Sequence, residues 1–295
     1  MADYSIHVLE YCHVPKHHKG GMIYGAHNEG TLNVPYCYVL IRGKGHVAMV
    51  DVGYNHKDWG KHLGDLFGVA NWHPPREVLG ELGLTPESID SIFITHAHFD
   101  HFGNVAEFPN ATFYMQREEI EKWVWAMALP DRMRWVMMAT DPSDILRGVD
   151  LAAQGRLRLV EGAVENILPG IDLHLARDSH TYGSMWVTVR NDGRAQSEDA
   201  WVLAGDLIYQ YANLKNDGSI IGVETIYNPV GFAVGSITNL ILATEAIMKQ
   251  VGYDYRRVIP VHEQGVADNF PSRITKNGLR ISEICLADGA VSAVA

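Results

Sequence analysis

Cysteine is scarce in this 295-residue chain: Cys12, Cys37 and Cys285 are odd in number and show no CxxC spacing. Neither a disulfide framework nor a structural zinc knot is indicated. Basic residues are short as well, with 24 Lys and Arg against 35 Asp and Glu and a formal charge of −11. No run of Lys or Arg is long enough to track a phosphate backbone, which excludes a nucleic-acid groove. A strongly anionic substrate is also disfavoured, unless a metal pair inverts the local field. Long apolar runs are missing too. The oiliest stretch, Val230 to Met248, is broken by Ser236, Thr238, Asn239 and Glu245, so no transmembrane span and no membrane partner are expected. The first residues, Met1 to His7, mix charge and polarity where a secretory signal needs an apolar run; a soluble cytoplasmic protein follows as the expectation.

What is present is ordinary in bulk and unusual in detail. The apolar fraction, 47%, suits a globular core, whereas 15 histidines is a high count. Tyr36–Arg42 and His46–Val52 read as strands joined through Gly43-Lys44-Gly45, a hairpin signal. Trp59 to Leu82 is mixed and partly helical in pattern. Ser91–Thr95 and Ala111–Met115 read as short apolar strands, followed by strands at 156–160, 171–175, 184–190 and 200–204. Arg117 to Met138 has helical period and is rich in Trp and Met. Ile237, Leu240, Ile241, Thr244, Ile247, Met248 and Val251 form one apolar helical stripe. Arg257–Val261 is a last strand, ending at His262. Hairpin-rich sheets mixed with helices in both halves, without a clean linker, predict an α+β fold: two packed sheets covered by helices, an αββα sandwich. The expected organisation is one domain over 1–295, with a helical Trp/Met-rich insertion at about 117–150. The last thirty or so residues carry no pattern that assigns them.

The chemistry concentrates in His96-Ala97-His98-Phe99-Asp100-His101. Imidazole and carboxylate are the ligands borderline divalent metals favour, and four of them fall within six residues. On an extended loop leaving a strand, His96 and His98 point the same way, because side chains repeat every second residue. A turn at Phe99 then aims Asp100 and His101 at a second point. One stretch of chain can thus serve two metals. Gly103 is expected to let the backbone turn sharply away. A lone histidine is more often a core or surface residue than a ligand. The other histidines, among them His56, His62, His73 and His174, therefore keep that reading, and His17-His18 reads as a solvated loop.

This segment resembles the HxHxDH motif of the metallo-β-lactamase superfamily. Later stretches resemble that family's remaining ligand loops in the same order: Asp178-Ser179-His180-Thr181-Tyr182-Gly183-Ser184, Leu203-Ala204-Gly205-Asp206 and Ile259-Pro260-Val261-His262. Ser179 and Tyr182 stand where many relatives have Gly and Pro, a departure that bears on the shape of the loop. The resemblance implies an αββα sandwich of the metallo-β-lactamase type holding two divalent ions, most simply Zn²⁺. His96, His98 and His180 would hold one ion, and Asp100, His101 and His262 the other, with Asp206 bridging. Two such ions share and activate a water that attacks a polarised carbonyl, while Asp100 passes a proton to the leaving group.

Tyr209, three residues past Asp206, discriminates among relatives. The Asp-x-x-Tyr spacing and the Phe of His98-Phe99-Asp100 resemble the N-acyl-homoserine lactonase branch, in which Tyr209 would donate to the oxyanion. The implied activity is opening of a cyclic ester, by an acyl-homoserine lactonase or by a lactonase for another hydrophobic or aromatic lactone. A lactam hydrolase, a glyoxalase II-like thioesterase and, outside enzymes, a non-catalytic metal-binding protein are the alternatives. Glyoxalase II-type enzymes carry a Cys-Gly-Arg-like stretch after the bridging aspartate, where this chain has Tyr209-Gln210-Tyr211. The substrate is expected to be a small molecule held by Phe99, Tyr209, Trp123 and Trp135, with Met22, Tyr24 and Phe232 as lesser wall candidates. The Trp/Met segment could equally pack on the sandwich or form a homodimer contact.

Overall fold

Lys44 and Gly45 both adopt positive φ, 52° and 81°, the conformation of a two-residue hairpin turn whose twist matches its strands. They join β2 (Thr31–Gly43) to β3 (His46–Val50), paired antiparallel from Gly43 against His46. Along β2, Val39 and Ile41 face one apolar cluster while Tyr38 and Leu40 face another. A strand buried on both faces reads as a continuous apolar run, and this is how a middle layer of a sandwich must look.

The structure, a computed structural model, describes residues 2–215 and 226–294. β1 (Tyr4–His18) was not legible, since its His7, Glu10, His13 and Pro15 break the apolar alternation. It nevertheless pairs with β2 along nearly its whole length, with register shifts between Glu10 and Cys12 and between Val14 and His17. The unassigned C-terminal stretch supplies β12 (Ser272–Ile274) and β13 (Arg280–Cys285), and β13 lies on the other edge of β1.

With β4 (Ser91–Phe93), β5 (Thr112–Gln116) and β6 (Leu157–Val160), the first sheet runs β12-β13-β1-β2-β3-β4-β5-β6, parallel from β3 to β6. The second sheet runs β11-β10-β9-β8-β7, built from β7 (Val164–Leu168), β8 (Ile171–Arg177), β9 (Gly183–Arg190), β10 (Ala200–Leu203) and β11 (Val258–Ile259). Ile6, Val39, Ile41 and Val50 of the first sheet share one buried cluster with Ile171, Leu173, Met185 and Val187 of the second. Helices cover the outer faces, which makes the αββα sandwich.

The helix Ile237–Gln250 is capped by Ser236, whose side chain accepts from the Asn239 N–H. Pro142–Ala153 opens with proline and is capped by Asp141. The single helix expected over 117–138 is two pieces: an α-helix Arg117–Met127 and a 3₁₀ stretch Asp131–Met137. Pro130 explains the break, because it removes an N–H and pushes the residue before it out of the helical region. Among the described residues no helix is long and apolar enough to cross a membrane.

Candidate active site

The carboxyl ends of the strands deliver the chemistry, as is usual where parallel strands meet a crevice. β4 runs into the loop carrying His96, His98, Asp100 and His101; β10 runs into Asp206; β11 runs into His262; and His180 sits in the turn between β8 and β9. Gly205 makes the approach of Asp206 possible: its φ is +51°, and a Cβ there would lie 2.7 Å from the Thr95 side chain. Gly103 is needed for a different reason from the one expected. Its φ is −70°, within the right-handed region, but a Cβ would meet the Tyr54 Cα at 2.7 Å. Close approach, not an unusual backbone angle, excludes a side chain there.

The five histidines and two aspartates proposed as ligands come together. His96, His98, His180 and Asp206 form one buried group, and Asp100, His101, Asp206 and His262 form a second, with ligand atoms within 4.8 Å in each. Asp206 belongs to both groups through different oxygens. Its Oδ2 lies 3.5 Å from His96 Nε2 and 3.3 Å from His180 Nε2, and its Oδ1 lies 3.1 Å from His101 Nε2 and 3.2 Å from His262 Nε2. Asp100 Oδ2 faces His101 and His262 at 3.6 and 3.5 Å.

Hydrogen bonds on the far side of the rings decide which nitrogen each ring offers. His180 Nδ1 donates to the Phe232 carbonyl at 2.9 Å and His262 Nδ1 to the Pro35 carbonyl at 3.0 Å. A carbonyl only accepts, so both Nδ1 atoms carry the proton and the Nε2 atoms are the ones turned to the site. His101 Nδ1 donates to Asp51 Oδ2 at 2.7 Å. His96 Nδ1 donates to Thr95 Oγ1 at 3.0 Å, and that hydroxyl donates to Asp51 Oδ2 at 2.7 Å. Such outer partners fix ring orientation and raise ligand basicity. His98 is the exception, since its Nδ1 faces the group, 3.0 Å from His96 Nε2 and 3.1 Å from His180 Nε2.

Two residues of this scaffold gave no sequence signal. Asp51 ends the strand region with φ of 63°, a conformation a non-glycine residue holds only when its surroundings impose it. Its Oδ1 also accepts the Thr95 N–H at 2.7 Å. Glu119 lies in the first turn of the helix Arg117–Met127, where the helix dipole favours negative charge. It is fully buried and accepts four hydrogen bonds: from the Ala97 N–H, the Trp123 indole, the Thr181 hydroxyl and the Gly183 N–H, at 2.6 to 2.8 Å. It thus ties the loop of His96 and His98 to the loop of His180. Neither role can be seen without the long-range contacts that create it.

The donor set fits divalent cations. Buried His101 Nε2 and Asp206 Oδ1 approach each other to 3.1 Å but make no hydrogen bond among the described residues, a costly state for polar atoms unless something else binds them. Burial holds His96 and His98 well below the usual imidazole range, so both are neutral, as ligands must be. Burial also pulls His101 down, but Asp206, Asp100 and Asp51 outweigh it and hold that ring well above its usual range. The field at this point therefore favours positive charge.

Beside the two groups lies a cavity of about 240 Å³, lined by apolar side chains such as Met22, Tyr36, Phe67, Phe99, Met138 and Phe232, together with Tyr209. Tyr209 stands between the groups, its ring 5.6 Å from His180 and 5.4 Å from His262. Burial, then the carboxylates of Asp206 and Asp100, push its phenol well above the usual range, so it is a donor. The two tryptophans expected on the wall are elsewhere. Trp123 is fully buried with its indole committed to Glu119, packed 5.8 Å from His98. Trp135 is 60% exposed and reaches only the Phe232 ring, at 5.7 Å. Tyr24 is exposed as well. Phe67, from the helix Asp58–Phe67, takes their place, and the 3₁₀ stretch is represented by the two residues that follow it, Met138 and Ala139. His17, read as solvated, instead sits near the end of β1 and lines the cavity.

The sequence matches the family described as "Metallo-beta-lactamase superfamily" over residues 30–262. Among curated relatives, the Bacillus subtilis (strain 168) protein named "Probable metallo-hydrolase YqgX" is 30% identical over 141 residues, covering 47% of this chain and 57% of that protein. "N-acyl homoserine lactonase AttM" of Azorhizobium caulinodans is 29% identical over 130 residues, 41% of this chain and 49% of that one. The chain thus spans about half the length of these curated relatives. Among solved structures, an N-acyl homoserine lactone hydrolase with the product N-hexanoyl-L-homoserine at its catalytic metal center is similar in fold, with a TM-score of 0.65 at 15% identity over 91% of this chain and 96% of that one. The matched span of 233 residues, from 30 to 262, contains every candidate ligand and covers well over half the chain: this protein belongs to the metallo-β-lactamase superfamily.

Proposed function

We propose that the chain is a two-metal lactonase that opens a hydrophobic cyclic ester to a hydroxy acid. The observation that carries this reading is the Tyr209 phenol, held protonated between one imidazole of each ligand group, on the wall of a cavity lined by no Lys or Arg among the described residues. His96 Nε2, His98 Nδ1, His180 Nε2 and Asp206 Oδ2 would hold one ion; Asp100 Oδ2, His101 Nε2, His262 Nε2 and Asp206 Oδ1 the other. Bound divalent ions supply Lewis acidity and make water a nucleophile near neutral pH.

The chain's own groups do the rest. The Tyr209 hydroxyl donates to the carbonyl oxygen as charge builds on it. The Asp100 carboxyl carries a proton to the ring oxygen as the ester opens. Met22, Phe67, Met138 and Phe232 exclude water and receive the apolar part of the substrate. Absence of basic residues on the wall favours a neutral substrate over an anionic thioester. The ring-opened acyl-homoserine found in the lactone hydrolase of similar fold, and the lactonase activity in the name of AttM, agree with a hydroxy acid product. In this reading the whole chain works as one catalytic domain, with the helical segment 117–153 packed against the site.

A panel of lactones, lactams and thioesters on metal-loaded protein tests it. Lactones are expected to turn over fastest, and Tyr209→Phe to lower their kcat by roughly a hundredfold with metal content kept. A lactam or thioester preference, or full turnover after chelation, sinks the proposal.

A further inference from the structure

His17 lies near the tip of the longest strand, far in sequence from every ligand, yet its ring forms part of the cavity wall beside Met22, Asp100 and His262. Its Nδ1 is 2.9 Å from the His18 carbonyl. That oxygen can only accept, so Nδ1 bears the proton and the free ring nitrogen, Nε2, bears a lone pair. No other hydrogen bond to this ring occurs among the described residues. Burial, the largest influence on it, lowers its proton affinity, in keeping with a neutral ring.

The backbone around it is arranged to seat that ring. A Cβ on Gly21 would lie 2.3 Å from His17 Cε1, and a Cβ on Gly231 would lie 2.1 Å from the Gly20 carbonyl. Two glycines without side chains therefore let the 17–22 segment fold against the loop carrying Phe232, whose carbonyl holds His180. The remaining wall of the cavity is largely apolar, which makes an acceptor there selective. His17 is only partly buried, so solvent reaches Nε2 in the open cavity; a ligand that displaces this solvent satisfies the lone pair if it brings a donor and leaves it unpaired, at a cost in free energy, if it brings an apolar group.

We infer that His17 Nε2 is a specificity-determining hydrogen-bond acceptor for a substrate that carries an N–H or O–H donor next to its ester, on the side of Asp100 and His262. This rests on the lactonase reading; what it adds is which residue of this chain reads the donor of such a lactone, the amide-bearing acyl-homoserine lactones among them. His17 is a positioning residue in this account, and it takes no part in bond making.

The test compares two lactones of equal ring size, γ-butyrolactone with and without an α-acylamino N–H, on metal-loaded wild type, His17→Ala and His17→Gln. The wild type is expected to favour the amide-bearing lactone. The ratio of the two kcat/KM values is expected to fall about tenfold in His17→Ala, chiefly through KM. His17→Gln, whose amide oxygen can still accept, recovers part of the ratio. Gly21→Ala, which displaces the ring without changing its chemistry, lowers the ratio as His17→Ala does. The ring-opened acids of both lactones, titrated into the same variants, give the comparison without turnover. An unchanged ratio in His17→Ala, or no recovery with glutamine, overturns the inference while leaving the lactonase reading standing; turnover of neither lactone by wild type overturns that reading first.

Discussion

Two buried acids near the site are treated in opposite ways. Glu119 has four donors on its carboxylate and no orphaned oxygen. Asp144, at the start of the helix Pro142–Ala153, is equally inaccessible, but only its Oδ1 is engaged, by Asn55 and Arg147 at 3.2 and 2.6 Å. Among the described residues its Oδ2 has no hydrogen bond, and neither do Asp141 Oδ2 and Thr140 Oγ1 beside it. A carboxylate is stable in a dry interior to the extent that donors replace its lost water. Glu119 is a brace between two ligand loops, and its four donors offset only part of the burial that lifts its carboxyl above the usual range. Asp144 is pushed up to about 7, by burial first and by Asp141 second, with Arg147 opposing, so it keeps its proton well above the usual carboxylate range.

The strongest way to break this contrast is Glu119→Ala. Four donors, three of them on or beside the loops of His96, His98 and His180, lose their acceptor together. A loss of at least about 3 kcal/mol is expected, read as a fall in unfolding midpoint together with loss of bound metal. A midpoint within experimental error of wild type would show that the brace is decorative. Asp51 offers an intermediate case, a buried acid satisfied by the backbone and hydroxyl of Thr95 and by His101. Asp51→Asn sets an N–H₂ group against other donors. Metal affinity is expected to fall by about 10- to 100-fold, measured by competition with a chelator, with a smaller change in stability than Glu119→Ala.

The narrowest effect belongs to Asp144, confined to one pH window, and its sign runs opposite to that of an ordinary paired carboxylate. Because the folded-state pKa exceeds the unfolded one, the folded protein binds this proton more tightly. The stability Asp144 contributes is therefore present at low pH and lost as pH rises from about 4 through about 7. Asp144→Asn, neutral throughout, is expected to flatten the pH dependence of the melting temperature across that window, by up to about 4 kcal/mol, the equivalent of a carboxyl raised from about 4 to about 7. A slope identical to wild type would show that another group titrates there.

Legibility followed the range of the interaction. The histidine cluster, the hairpin at Lys44-Gly45 and the apolar stripe of the helix Ile237–Gln250 are patterns within a few residues, and each lies where its spacing put it. β1 was hidden because His7, Glu10, His13 and Pro15 break its alternation, and its partners β2 and β13 lie across a connection that includes a short helix and across most of the chain respectively. Trp123 looked like a wall residue because an aromatic on a helix has no visible destination until Glu119 claims its indole N–H. His17 looked solvated because nothing near it in the chain announces that the strand ends over a cavity.

Side-chain chemistry in a fixed order was therefore enough to nominate the ligands and the sandwich that carries them, since local strand and turn propensities and a dense set of metal-binding groups survive in one dimension. Folding alone determined that Asp206 turns one oxygen to each group and that His98 presents Nδ1 where the other four histidines present Nε2. It also made Glu119, Asp51 and His17 the outer partners and the wall. Those outcomes depend on hydrogen bonds and close contacts between segments remote in sequence, and such contacts exist only once the two sheets have packed.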